Sequence, residues 1–205
     1  MAKLLKVEVS PRGDYSVSRT LGKHFTAEWE QNNPGGTVVE RDLSHSPLPF
    51  VDLPWIAGAY STPDQHTPEQ KKSIQVSDQL IDELLAADEI LITTPMYNFS
   101  IPAALKAWID HVVRLNRTFN AQYQGLVQGK KLKIILSSGG VYAPGAPHEA
   151  YNAASTYLKQ ILGFIGITDV NITLAGGTSA IDQGQTLLPE FIKPFEPQVR
   201  AAAIQ

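Results

Sequence analysis

Three short stretches of this 205-residue chain carry the residue types that could do chemistry. The first, SPRGDYSVSR from Ser10 to Arg19, places the hydroxyls of Ser10, Ser16 and Ser18 beside Arg12 at a strand-to-helix junction. A helix N-terminus presents unpaired N–H groups and the positive end of the dipole, so it is a ready seat for an anion. Small hydroxyls and a guanidinium add donors there without crowding a phosphate. A lone serine at such a place is most often a plain helix cap; three serines with an arginine favour the anion site. No GxGxxG pattern accompanies them, so a terminal monophosphate fits better than a dinucleotide pyrophosphate.

The second stretch, PMYNFS (95–100), follows the apolar run EILI. Pro95 stops a strand. Amides around Tyr97, Asn98 and Phe99 can then face outward, while Met96, Tyr97 and Phe99 offer apolar area to a flat heterocycle. Met96 and Phe99 taken singly are ordinary core residues; Asn98 between aromatics is less easily explained that way. The third stretch, SSGG (137–140), carries Gly139 and Gly140, which allow positive φ and close backbone approach. It reads as a second edge for the same ring, with Tyr142 a further hydroxyl or stacking face.

These stretches need a scaffold, and hydrophobic periodicity supplies one. Strands are expected at 3–9, 37–43, 89–95, 131–138 and 169–175. Helices are expected from Ser16 or Ser18 to about Gln31, over 67–87 (a Thr67-Pro68-x-Gln70 start), over 101–115 and over 149–166, with a last helix over about 181–203. Residues 44–66, rich in proline and without a period, read as a long excursion. Strand–helix alternation repeated five times predicts one α/β domain over 1–205 with a parallel sheet covered on both faces. Two strand orders are common for such a sheet, and in both the ligand lies beyond the carboxyl ends of the strands. All three stretches fall at that rim.

Composition narrows the functions. Net charge is −3 with no dense Lys/Arg stripe, which gives a nucleic acid or an anionic membrane nothing to hold. The chain has no cysteine, which excludes disulfides, thiolate metal sites and a cysteine nucleophile. The five histidines, including His24, His111 and His148, lack metal-ligand spacing. His24 and His111 read as surface or helix-packing residues, and His148 as a solvated loop residue. No stretch reaches the roughly 18 apolar residues of a membrane span, and the N-terminus is too charged for a signal peptide; a cytoplasmic protein is expected.

Taken together, SPRGDYSVSR, PMYNFSIPAALKAWID, GLVQGKKLKIILSSGG and LGFIGITDV resemble the FMN-dependent NADH-azoreductases, quinone-reducing members of the flavodoxin-like superfamily, over nearly the whole chain. The resemblance implies a five-stranded sheet in the order 2-1-3-4-5 and a homodimer with active sites at the subunit boundary. It implies FMN as cofactor, NADH or NADPH as reductant, and a two-step transfer to a quinone or azo compound. By position, Ser10 and Ser16-Val17-Ser18 would hold the flavin phosphate. Met96, Tyr97, Asn98 and Phe99, with Ser137, Ser138, Gly139 and Gly140, would line the isoalloxazine. The family commonly has a basic residue where this chain has Ser138.

In such a protein the flavin carries the hard chemistry, so no acid–base triad is expected. The excursion 44–66, with Phe50, Trp55 and Tyr60, would wall the acceptor pocket from the neighbouring subunit. The alternative is a flavodoxin-like electron carrier or redox sensor. A phospho-acceptor domain would need carboxylates beyond strands one and three, where this chain has Thr-Thr-Pro. An α/β-hydrolase would need G-x-S-x-G, which is absent.

Overall fold

The computed structural model describes residues 1–205. Five parallel strands, β1 (Lys3–Glu8), β2 (Thr37–Asp42), β3 (Glu89–Pro95), β4 (Lys131–Ser138) and β5 (Asp169–Gly176), lie in the order β2-β1-β3-β4-β5. This is the order the resemblance implied. Side chains alternate across each strand. On one face Leu4, Leu91 and Ile135 pack with Leu21, Phe25 and Trp29 of α1 (Val17–Asn32). On the other, Leu5, Ile90, Ile92 and Ile134 meet Leu80, Ile81 and Leu84 of α3 (Pro68–Ala86). Trp108 and Ile109 of α4 (Ala103–Val112) and Leu158 and Leu162 of α5 (Ala153–Phe164) complete that second layer. Each such buried aliphatic or aromatic chain contributes about 1.5–3 kcal/mol.

The local signals mostly act as expected. Thr67 accepts from the Gln70 N–H at 3.2 Å while Gln70 Oε1 accepts from the Thr67 N–H at 2.8 Å, a complete capping box for α3. Ser16 is the cap of α1, accepting from the Arg19 N–H. α5 begins later than periodicity suggests: a 3-10 turn over Glu149–Tyr151 precedes it, and Asn152 caps it by accepting from the Ser155 N–H at 3.0 Å. α4 is trimmed to its middle because Pro102 stands at its N-cap and Val113 leaves the helical region.

Two expectations are corrected. The excursion 44–66 is not bare loop: it contains α2 (Leu53–Ala59), started by Asp52, which accepts from the Trp55 N–H at 2.8 Å, and by Pro54 in the first turn. The tail is not one helix but three short ones, α6 (Ser179–Asp182), α7 (Leu188–Ile192) and α8 (Glu196–Ala202). Gly184 at φ 70° ends the first, and Pro189 and Pro197 each restart a helix in its first turn.

The excursion is fastened at His111 of α4, which is 1% exposed. Trp55 Nε1–H donates to His111 Nδ1 at 3.1 Å, and His111 Nε2 lies 2.9 Å from the Pro49 carbonyl. An indole can only donate, so Nδ1 is the acceptor and Nε2 carries the proton to Pro49. Helix packing is thus the role of this histidine. His111→Leu leaves a buried indole N–H and a carbonyl unpaired. It is expected to lower stability by about 2–4 kcal/mol and to expose 44–66 to limited proteolysis while the sheet core stays intact. Urea unfolding and mapped cleavage sites check this.

Candidate functional site

The sheet register brings the three stretches together. Glu8 pairs with Thr93, and the Val9 N–H donates to the Thr93 carbonyl at 3.1 Å, so β1 and β3 end side by side. Pro95 pairs with Ser137, and the Met96 N–H donates to the Ser137 carbonyl at 2.7 Å. Ser10, Ser16, Val17, Met96, Tyr97, Ser137, Ser138 and Gly139 therefore line one cleft of about 200 Å³. It lies at the rim where the strand order reverses between β1 and β3, the usual ligand crevice of an open α/β sheet. Four of the residues named from the sequence do not line this cleft: Ser18, Asn98, Phe99 and Gly140. Ser18 is fully buried with its hydroxyl 3.2 Å from that of Ser16, directly behind the lining. Gly140 is exposed beside Gly139.

Asn98 and Phe99 form the tip of a tight turn at φ 48° and 67°, closed by reciprocal bonds between the backbones of Tyr97 and Ser100 at 2.9 and 3.0 Å. Both central residues at positive φ define a turn that glycine and asparagine prefer. Phe99 is therefore strained, and such strain persists only where the surroundings over-determine it. Here they do: the Ala154 N–H at the start of α5 donates to the Phe99 carbonyl at 3.0 Å. The Phe99 ring stacks on Tyr151 with centroids 5.1 Å apart and meets Tyr142 edge-on at 5.9 Å. His148 is exposed, 6.0 Å from Tyr151, away from the cleft lining.

Most of the donors that sequence reasoning expected are free, but the Tyr97 N–H is not, since it donates to the Ser100 carbonyl at 2.9 Å. The N–H groups of Val17 and Ser18 at the start of α1 have no acceptor within the chain, nor do those of Asn98, Phe99, Gly139 and Gly140. At Gly140 the crowding comes from a side chain: a Cβ there would lie 2.9 Å from the Tyr142 hydroxyl. The positive φ expected of this stretch is absent, since neither Gly139 nor Gly140 adopts it. Gly139 leaves space instead, since a Cβ there would meet no protein atom within 4 Å. Ser138 turns its hydroxyl back to donate to the Gly140 carbonyl at 2.8 Å and so braces the turn.

Sequence reasoning missed the segment after β5. Thr178, Ile181 and Asp182 line the cleft, held there because the N–H groups of Gly177 and Thr178 donate to the Ser138 carbonyl at 2.9 and 3.0 Å. The signal was the Gly176-Gly177 pair closing the last strand at the same rim. The excursion 44–66 does not reach this cleft within one chain. Trp55 and Tyr60 line a separate apolar hollow of about 460 Å³ with Phe119, Ile109 and Tyr157, and Phe50 lines another beside His111.

Beneath the serines lies a buried ionic knot. Arg19 of α1, 6% exposed, sends Nε–H to the Ser10 carbonyl at 2.6 Å, NH1 to Glu8 at 2.5 Å and both terminal nitrogens to Asp42 at 2.6 and 2.8 Å. Burial opposes the charge of Asp42, but hydrogen bonds from Arg19, His45 and Ser44 outweigh it and hold the carboxyl well below the usual carboxylate range.

Comparison with known proteins agrees with this geometry. The flavodoxin-like fold family matches residues 2–196. A protein of Jannaschia sp. (strain CCS1) named FMN-dependent NADH:quinone oxidoreductase 2 is 45% identical over 203 residues, 99% of this chain and all of that one. One of the same name from Trichormus variabilis is 53% identical over 174 residues, covering 83% of this chain and 84% of that one. Among solved structures, an azoreductase from Bacillus anthracis superposes with a TM-score of 0.87 at 29% identity, covering 100% of this chain and 99% of that one. A second, an FMN-dependent NADH-azoreductase from the same species in complex with FMN, gives 0.86 at 25% identity over 98% and 97% of the chains. Fold and cleft thus define a flavodoxin-like protein. Within that class, the chain belongs to the family whose curated members carry the name FMN-dependent NADH:quinone oxidoreductase.

The depressed pKa of Asp42 has a consequence for stability. A carboxyl whose folded-state pKa lies below its unfolded value stabilises fully above the unfolded value, about pH 4, and loses that contribution as pH falls toward the folded one. Asp42→Asn, which leaves Glu8 as the one carboxylate on Arg19, is expected to lose about 2 kcal/mol at pH 7 and to show a flatter decline below pH 4 than the unsubstituted protein. Urea midpoints measured from pH 7 to pH 3 check this; parallel acid limbs would contradict it.

Proposed function

We propose that the chain is a cytoplasmic FMN-dependent NADH:quinone oxidoreductase that also reduces aromatic azo compounds. In this reading residues 1–205 form one domain and two copies form a homodimer with the acceptor sites at the subunit boundary. The observation that carries the proposal is the cleft at the strand-order reversal, where hydroxyls, unpaired N–H groups and apolar side chains converge without a general acid–base pair. It agrees with the names of the relatives that match nearly all of the chain.

The residues fit the cofactor by their donors. Ser10, Ser16 and Ser18, with the free N–H groups of Val17 and Ser18 at a helix N-terminus, match a phosphate monoester. Met96 and Tyr97 offer apolar area, and the unpaired N–H groups of Asn98, Phe99, Gly139 and Gly140 offer in-plane donors for the edge of a polar ring. Ser138 braces the turn that carries the glycines, and the Ser137 carbonyl holds the Met96 N–H beside it. When bound, FMN supplies two-electron redox chemistry, accepting hydride from NADH and passing the reducing equivalents to the quinone or azo acceptor. The protein's part is to bind, orient and place donors where negative charge grows.

Support for the homodimer is the apolar surface left by the excursion. Phe50, Leu53 and Tyr60 are 75%, 76% and 72% exposed. Tyr60 lines the apolar hollow beside α2, α4 and α5 and Phe50 the hollow beside His111, and exposed apolar patches mark interaction sites. Trp55 and Tyr60 would then face the neighbouring subunit, which supplies the acceptor wall that they do not supply within their own chain.

The purified protein is expected to be yellow, to bleach within seconds on addition of NADH under anaerobic conditions, and to regain colour on addition of a quinone. Bleaching by a one-electron donor but not by NADH would favour the electron-carrier reading. Ser18→Ala removes the hydroxyl that backs Ser16 in the phosphate seat while leaving the Ser16 oxygen in place as the cap of α1. It is expected to weaken FMN binding about tenfold, measured by flavin fluorescence.

A further inference from the structure

We infer that Arg12 and Asp182 form a latch across the cleft, in which the guanidinium exchanges the Asp182 carboxylate for the phosphate monoester of the entering flavin nucleotide. Asp182 thereby sets how strongly the protein prefers FMN to riboflavin. The inference rests on the FMN reading above.

Arg12 is the only Lys or Arg among the residues lining the cleft, and Asp182 the only acid. They join two different rims: Arg12 belongs to the turn between β1 and α1, Asp182 to α6 beyond β5. The bond is direct, with NH2 to Oδ1 at 2.6 Å and NH1 to Oδ2 at 3.4 Å. Asp182 lies below its ordinary carboxylate range because Arg12 donates to it, so the carboxylate is charged at neutral pH, where a phosphate monoester is mostly dianionic.

The pair is built to open. Both side chains are about half exposed, at 49% and 51%, and exposed ion pairs are weak and screened by salt. The nearby arginine in the first turn of α1 differs: Arg19 is buried and bonded to Ser10, Glu8 and Asp42. Of the two latch partners, Asp182 is the fixed one. Its segment is zipped to the glycine stretch through Thr178 N–H to Ser138 O at 3.0 Å and Ser179 Oγ to Gly139 O at 2.9 Å. The guanidinium of Arg12 makes no other hydrogen bond. A long flexible side chain can therefore swing from a monoanion to a dianion with three acceptor oxygens, seated among the hydroxyls of Ser10 and Ser16 that line the same cleft. Asp182 acts twice against the phosphate: it competes for Arg12, and it places a like charge at the rim. Riboflavin, which lacks the phosphate, feels neither effect.

The test titrates flavin-free protein with FMN and with riboflavin at low ionic strength, following the loss of flavin fluorescence. Asp182→Asn is expected to bind FMN about fivefold more tightly, with riboflavin unchanged. Arg12→Gln is expected to bind FMN about tenfold more weakly, again with riboflavin unchanged, and the gain from Asp182→Asn is expected to shrink in the Arg12→Gln background. If Asp182→Asn binds FMN as the unsubstituted protein does, or more weakly, or if both flavins shift alike, the latch is overturned while the cofactor reading stands. Failure of the unsubstituted protein to bind either flavin would overturn both.

Discussion

The buried guanidinium of Arg19 is the constraint on which the site depends. A cation 6% exposed is tolerable only with close partners, since an unpaired buried charge costs several kcal/mol. Its partners are the ends of two strands and a backbone carbonyl: Glu8 from β1, Asp42 from β2 and the oxygen of Ser10. One side chain in the first turn of α1 thus ties that helix to both strands. With the Ser10 carbonyl turned inward, the chain must pass on through Arg12 and return at Ser16 to cap the helix. The serines are positioned by a charge that lines no part of the cleft.

The other wall is placed by different means. Parallel pairing of Pro95 with Ser137 brings the ends of β3 and β4 into step, and the turn over Tyr97–Ser100 then projects beyond the sheet. Phe99 would not hold φ 67° alone; the Ala154 N–H and the rings of Tyr142 and Tyr151 hold it there. The strained turn is therefore coupled to the start of α5, more than fifty residues away in sequence. Rigid elements carry the positions, and the turns carry the donors, which is the usual division in α/β proteins.

That division also explains what could be read from the sequence. The strands, the capping box at Thr67 and the serine seat rest on local patterns, and local patterns survive folding. Helix α2 was signalled by Asp52 and Pro54, but seven residues are too few to reveal a period against the prolines around them. The tail failed in the opposite way: a weak helical pattern ran through Gly184, Pro189 and Pro197, each of which cuts it. Asp182 was invisible because it meets Arg12 across 170 residues, a contact that only the sheet order creates. Gly139 lines the cleft and Gly140 does not, and one of the two reasons for naming them fails, since neither adopts a positive φ.

The chemistry left to the chain follows from what the cleft contains. Its titratable side chains are Arg12, Asp182, Tyr15 and Tyr97, and the first two occupy one another. No histidine, lysine or glutamate of the same chain lines it to take up or deliver a proton near neutral pH. Within one copy the protein therefore contributes donors, shape and charge rather than acid–base groups. Such a site discriminates poorly among flat acceptors, because stacking area and backbone donors recognise planarity more than identity. The part of the cleft suited to one group of fixed charge and geometry is the proposed phosphate seat, where the hydroxyls of Ser10 and Ser16 line the wall, the N–H groups of Val17 and Ser18 are unpaired and Arg12 stands at the rim.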